Sequence, residues 1–417
     1  MAPLPPLKSG VEAIQIEHEG RPAVLLRDQE GLSPDPLAVT LPGFMVAILL
    51  DGRNSVQDIQ SAFAKNTGQI IKAEEVEGMV AQLDQAHLLE TPALKKKRAD
   101  VMSAFENNPL RSMAHVKSGY PDQPLELATF LGKFFQDPKG PGKQMISSPA
   151  KPAPVALFAP HIDFYRGGPA YAWAYQALSE TAPPDLIVGL GVAHMSPPSP
   201  WVLTAKNYAT PYGPMPLSQA LYDDFKSSLW YDVSSDQWTH RTEHSLEFQA
   251  LWLKYLWREK TPPWLPVLCS SFDAFCVDRA PSKIDSIETG IKKIGEKLLA
   301  RQAAGQKILI LAGVDLAHVG PRFGDQEKLG SDLEKRVEAE DRKSLELAMA
   351  GDADAFFLSV MEKDHWRKWC GLSAIYTALR LGKMLAPDSF KGQMLSYGQA
   401  ADPSGGLVSF VSAVYPR

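Results

Sequence analysis

Three histidines in this chain follow closely on hydrophobic runs. His161 closes "VALFAPH", His194 closes "LIVGLGVAH", and His318 stands in "ILILAGVDLAHVG" after Asp315. The chain has nine histidines, and three of them in one sequence context point to a common cause. In open α/β sheets, functional residues gather beyond the carboxyl ends of the strands. Three loops at such a rim can converge on one point, and three imidazoles there suit a transition metal or acid–base chemistry. Each histidine taken singly is also readable as a hydrogen-bonded loop residue. Asp315, three residues before His318, has the chemistry to hold an imidazole in one tautomer, or to serve as a turn residue.

Cys370, in "DHWRKWCGLSAIYTALRL", precedes apolar residues at helical spacing. A thiol at a helix N-terminus is biased toward thiolate, a soft ligand or a nucleophile. A buried inert cysteine is the competing reading. Cys269 fits that reading, since it lies inside "LPVLCSS", and Cys276 carries no signal. Glu243–Glu247, "EHSLE", reads as the start of a long helix. Glu243 and Glu247 are four apart and would share a face, and His244 and Glu247 are close enough to meet. The spacing is not that of a zinc protease, and acidic residues near a helix start are also favoured by the helix dipole.

The elements needed to position these groups are legible as alternation. "PAYAWAYQAL" follows the first run. "LSQALYDDFKSSL", "THRTEHSLEFQALWLKYLW" and the amphipathic "IDSIETGIKKIGEKLLARQ" separate the later ones. Strand, helix, strand, helix predicts an α/β fold with a mostly parallel central sheet flanked by helices. Two late runs, "QMLSYGQ" and "GLVSFVSAVY", flank "AADPSGG" and are expected to pair or to extend the sheet edge. Residues 137–154 read as a loop before the first core strand.

A break near "TPALKKKR" separates a smaller unit, residues 1–96, from the main unit, residues 110–417. The break reads as a solvated linker or a helix start. The small unit combines short strands with three helices, two of them split at Asp51-Gly52 with Ser55 as an N-cap. This predicts a winged-helix-like α+β adaptor. From Val11 to Leu94 it carries five Lys/Arg against thirteen Asp/Glu, about −8, the wrong sign for gripping phosphates. It resembles the PqqD-like peptide-binding domains in "LLDGRNSVQDI" and "VAQLDQAHLLE". That resemblance implies a peptide or protein partner, recognised by strand addition at a sheet edge. A winged-helix docking unit is the plainer alternative.

Composition bounds the rest. The 417 residues are 45% hydrophobic and 22% charged, with net charge −5. These values fit an ordinary globular protein and give no reason to expect nucleic acid. No apolar run approaches the roughly 20 residues of a membrane span, and the first residues lack the pattern of a secretory signal. Three cysteines without a CxxC pair fit a reducing, cytoplasmic setting.

"APHIDFYRGG", "GLGVAHMSPP", "TEHSLEFQ", "LAGVDLAHVG" and "WCGLSAI" occur in an order that resembles the MEMO family, also called AmmeMemoRadiSam system protein B. "MAHVKSGYPDQPLELATFL" is similar to that family's opening segment. The resemblance covers residues 110–417 and implies a fold like that of class III extradiol dioxygenases. It implies a metal set of His161, His194 and Cys370, the cysteine replacing a carboxylate. His318 would be a further ligand or the acid–base residue, and His244, Glu247 and Asp315 would line or support the pocket. It also implies a setting beside a radical-SAM system component. Two departures stand out: "PHIDF" places Asp163 near His161, and Met195 occupies a position where relatives carry histidine. The donor set favours Fe(II) or Cu(I), with Zn possible in principle. Three functions stay open: a non-haem metal-dependent oxidoreductase, a non-catalytic peptide-binding scaffold with a relic pocket, and hydrolysis by Cys370 with His318 as base.

Overall fold

The structure is a computed structural model and describes residues 2–18, 20–33, 35–143, 151–273, 275–276, 279–402 and 405–417. The chain divides into two compact units, Met1–Asn107 and Asn108–Arg417.

In the first unit, β1 (Val11–His18) and β2 (Arg21–Asp28) form an antiparallel hairpin, and β3 (Leu37–Thr40) pairs with β2. Helices α1 (Leu41–Leu49), α2 (Val56–Thr67), α3 (Ala73–Gln85) and α4 (Pro92–Asn107) follow. Asp51-Gly52 does split α1 from α2. Ser55 caps α2 in a reciprocal box with Asp58, which satisfies two otherwise orphaned N–H groups. Val24, Val46, Ile59, Phe63, Val76 and Leu83 fill the core between sheet and helices. Of the two readings of the break, the helix start holds, since α4 begins at Pro92 and the basic run Lys95–Arg98 is helical. Arg98 bridges Glu30 and Glu90.

The second unit contains β4 (Leu110–Arg111), α5 (Pro124–Gln136), β5 (Ala156–Ala159), α6 (Phe164–Ser179), β6 (Leu186–Val192), β7 (Trp201–Leu203), β8 (Asn207–Tyr208), α7 (Gln219–Ser228), α8 (Ser245–Trp257) and β9 (Trp264–Cys269). It continues with α9 (Asp285–Ala303), β10 (Ile308–Gly313), β11 (Asp315–Val319), α10 (Ser331–Met349), α11 (Ala353–His365), α12 (Leu372–Leu385), β12 (Gln393–Asp402) and β13 (Gly406–Tyr415). The main sheet runs β11-β13-β5-β10-β6-β9-β7, with β12 paired to β13. Only the central strands β5, β10, β6 and β9 are parallel; the pairings at both margins are antiparallel. The sheet is therefore mixed, rather than mostly parallel. The late runs do pair with each other, but β13 lies within the sheet between β11 and β5, not at its edge. Part of the loop expected over residues 137–154, and part of the turn between β12 and β13, fall outside the described residues.

The central strands are buried on both faces, which is why they read as unbroken apolar runs rather than alternating ones. One face packs against α5, α6 and α8, and the other against α7 and α9 to α12. Among the described residues, no helix is long and apolar enough to cross a membrane.

Candidate metal centre

Strand order decides which loops meet. β10 lies between β5 and β6, so the residues leaving β10 stand between those leaving the other two. His161 follows β5 by two residues and His194 follows β6 by two. Asp315 and His318 are not in a loop, contrary to the sequence expectation. They belong to β11, which is separated from β10 by Val314 alone, pairs with β13, and shifts register between them. A bulge of this kind re-aims side chains at a functional rim.

His161 is buried. Its Nδ1 faces the Gly313 carbonyl at 3.0 Å, and its backbone N–H donates to Asp315 at 2.9 Å. A proton held on Nδ1 leaves Nε2 for a ligand. That Nε2 is 3.3 Å from Cys370 Sγ. Gly313 itself passes close to the start of α8: a Cβ there would come within 2.6 Å of the Ser245 carbonyl. His194 presents Nδ1 to Glu243 at 3.0 Å, and its backbone N–H reaches the same carboxylate at 3.1 Å. Its Nε2 is likewise left over. Cys370 arrives from the opposite face of the sheet, on the segment that leads into α12. Gly371 permits that approach: a Cβ there would stand 2.5 Å from the Asp315 carbonyl. The ligating atoms of His161, His194 and Cys370 lie within 4.8 Å of one another.

The charges of this cluster depend on one another. Burial alone would raise the Cys370 thiol, but His161 and His194 prevail and hold it at about 6. Burial disfavours charge on His161, yet Asp315 and Cys370 lift it to about 9. Burial also opposes charge on His194, and Glu243 overcomes it and raises that imidazole well above its usual value. Each group thus favours the charged form of the others: the imidazoles pull the thiol down, and the thiol and the two carboxylates push the imidazoles up.

The other expected residues fall in different places. His244 stacks on His194, with ring centroids 4.9 Å apart, and meets His161 edge-on at 5.2 Å. With His194 and Glu243 it forms a second group of close ligating atoms. Burial keeps its pKa well below the usual histidine value. His318 stays outside both groups. Its Nδ1 faces the Leu316 carbonyl at 3.1 Å, its ring meets Phe323 edge-on, and burial lowers its pKa to about 4. Its ring nitrogens are not among the ligating atoms that lie within 4.8 Å of one another in either group.

Glu247 is elsewhere. The helix expected from Thr239 begins only at Ser245, so Glu243 precedes it and the two glutamates do not share a face. The Glu247 carboxylate pairs with buried Arg111 and accepts from Tyr120 Oη at 2.6 Å and from the Ala114 and His115 backbone N–H groups. Asp163 caps α6 and pairs with Arg166, so its carboxylate is not an addition to the histidines. Glu243 is the residue that sequence reading missed as a site group. Its signal was adjacency: it sits two positions before an interior helix start whose Ser245 N–H it accepts at 2.9 Å. Arg111 and Tyr120 offered no signal beyond their type.

Fold and site together define an α/β protein with a histidine–cysteine cluster at the carboxyl rim of its parallel strands. Residues 111–415 match the family model described as Memo-like protein, and the chain belongs to that family. A MEMO1 family protein of Aquifex aeolicus is 27% identical over 301 residues, 72% of this chain and 73% of its own length. One from Thermus thermophilus is 27% identical over 310 residues, 73% of this chain and 83% of its own. One from Sulfurisphaera tokodaii is 28% identical over 287 residues, 68% of this chain and 90% of its own.

Proposed function

We propose that this chain holds one transition-metal ion with His161, His194 and Cys370 and works as a non-haem iron- or copper-dependent redox protein. The observation that carries the reading is the convergence of two imidazoles, each with its other nitrogen engaged, on a thiol held at about 6. This donor set fits the group: thiolate with imidazole suits Fe(II), Cu(I) or Zn and does not suit Mg or Ca. Such an ion, when bound, supplies Lewis acidity or electron transfer at the rim.

The chain's own residues would do the remaining work. Glu243 and the Gly313 carbonyl orient the two ligand rings. His318 and His244, whose protonated forms burial disfavours, would accept hydrogen bonds from a substrate. His194, His244 and Cys370 keep part of their surface open, so a substrate can reach them. A reducing, cytoplasmic setting goes with this reading, because a thiolate ligand must stay reduced.

The acidic first unit would recruit the peptide or protein partner, a component of a radical-SAM system. In its support, β1 and β3 are the outer strands of the small sheet, and such edges pair with extended peptides.

Elemental mass spectrometry on protein purified anaerobically, without a metal-binding tag, tests the centre beside Cys370→Ser. About one Fe or Cu per chain, lost in the variant, is expected for a soft His/Cys site. Zinc alone would remove the redox function and leave the centre. No metal in either protein after reconstitution would overturn the centre and favour a peptide-binding scaffold.

A further inference from the structure

The segment leading to Cys370 has an unusual backbone. Lys363, Asp364 and His365 are three consecutive non-glycine residues in the left-handed region, with φ of 55°, 58° and 53°, and Lys368 follows at 48°. L-residues visit this region singly, not in runs. Such a turn persists only where its surroundings over-determine it, and strain of this kind clusters at working sites.

The restraints are visible, and they converge on two residues of the site. His365 Nδ1 faces Asp273 at 3.0 Å, while its Nε2 accepts the Trp369 backbone N–H at 2.8 Å. The Lys368 N–H returns to the His365 carbonyl at 2.8 Å. One imidazole thus ties the turn to the loop after β9 and to the residue immediately before Cys370. Arg367 is buried and donates to Asp341 at 2.9 Å, to Ser344 and to the Ser359 carbonyl. The Trp369 indole donates to the same Asp341 at 3.0 Å. The Arg367 carbonyl accepts the His318 backbone N–H at 2.7 Å. Lys368 pairs with Asp325, which in turn accepts the Gly320 N–H. The turn therefore fixes Cys370 from one side and His318 from the other.

We propose that His365 is a positioning residue: by holding the left-handed turn closed on Trp369 N–H, it sets Cys370 Sγ against His161 and His194. The proposal rests on the metal-centre reading for its purpose, but not for its geometry. Because the Trp369 N–H can only donate, His365 accepts at Nε2, and its Nδ1 is the nitrogen that faces Asp273. Removing it frees the peptide before Cys370, and the sulfur loses its fixed distance from the two histidines.

The test uses Co(II) as the probe in the full chain, comparing wild type, His365→Ala and His365→Gln. The thiolate-to-cobalt charge-transfer band reports sulfur ligation, and iodoacetamide alkylation of Cys370 in metal-free protein reports thiol placement without any metal. In His365→Ala we expect Co(II) affinity to fall about tenfold or more, the range seen when groups that orient ligands are removed. The band should weaken and the alkylation rate should change severalfold, while the thermal midpoint stays close to wild type. His365→Gln, whose side-chain oxygen can accept the Trp369 N–H, should recover most of the affinity. Wild-type affinity and alkylation in His365→Ala would overturn the proposal. If wild type itself shows no thiolate band, the metal reading fails and the alkylation rates alone decide the role of His365. If His365→Ala does not fold, Asp273→Ala is measured in the same way, with the same two outcomes.

Discussion

Glu243 and Glu247 are four residues apart, both buried, and they serve two different kinds of polar cluster. Glu247 lies in a closed node. Each of its oxygens accepts two donors, and Arg111 is matched by Glu247 and by the His240 and Glu243 carbonyls. Glu243 faces an open rim. It orients His194 and lies beside His244, and the ligating atoms of His161, His194 and Cys370 lie within 4.8 Å of one another. A buried charge removed from water needs its partners supplied in full, and the node meets that condition internally. The rim instead gathers two imidazoles and a thiol beside Glu243, donor types that suit a transition metal. The difference separates a group that holds the fold together from a group proposed to bind a metal.

The largest expected effect breaks the node. Arg111→Met strands the Glu247 carboxylate in the interior and should cost about 3–5 kcal/mol, as for other buried pairs that lose one partner. Chemical denaturation reads it. Adding Glu247→Leu should recover only part of the loss, because Tyr120 and two backbone N–H groups then lack their acceptor. Full recovery would mean that the node is an ion pair and little more.

The rim is probed next by its thiol. In metal-free protein, alkylation of Cys370 should rise from pH 5 and level off above about pH 7, because the neighbouring imidazolium groups hold its ionisation at about 6 and thiolate is the reactive form. Cys269 and Cys276, pushed up by burial to about 12 and about 11, should stay unmodified through pH 8. Peptide mapping by mass spectrometry separates the three sites. A Cys370 profile centred near that of a free thiol would remove the charge coupling from the rim.

A smaller effect sharpens the contrast between the two glutamates. Glu243→Gln keeps the shape but weakens the hold on His194, and metal affinity should fall about 10–100-fold, with a modest change in denaturation midpoint. The smallest effect concerns His318. It lies outside the converging donors, so His318→Gln should retain the metal content of wild type. Loss of metal in that variant would return His318 to the ligand set.

Much of the architecture was legible because burial on both faces leaves a plain signature. Val155–Ala159, Leu186–Val192 and Ile308–Gly313 are apolar without alternation, and a strand inside a covered sheet needs no polar face. The family resemblance implied a grouping of His161, His194 and Cys370, whose ligating atoms lie within 4.8 Å of one another. The margins were not: whether β13 lies within the sheet depends on long-range pairing, and its own residues look the same at an edge or in the middle. The helix start at Ser245 was misjudged because the polar residues before it satisfy their bonds through His194 and the Ser245 N–H, contacts that no local pattern encodes.

What the amino-acid sequence determined alone was residue type and local grammar: which runs can be strands, where a histidine follows one, and that glycine stands at Gly313 and Gly371. Only the tertiary structure decided which of those groups meet. Inserting β10 between β5 and β6 put the Gly313 carbonyl against His161. The left-handed turn at Lys363–His365 and the close pass at Gly371 brought Cys370 over from the other face. The physical reason is range. Propensity and periodicity act over a few residues, whereas hydrogen bonds and charge coupling act across a few ångströms of space, between residues as far apart in the chain as His161 and Cys370.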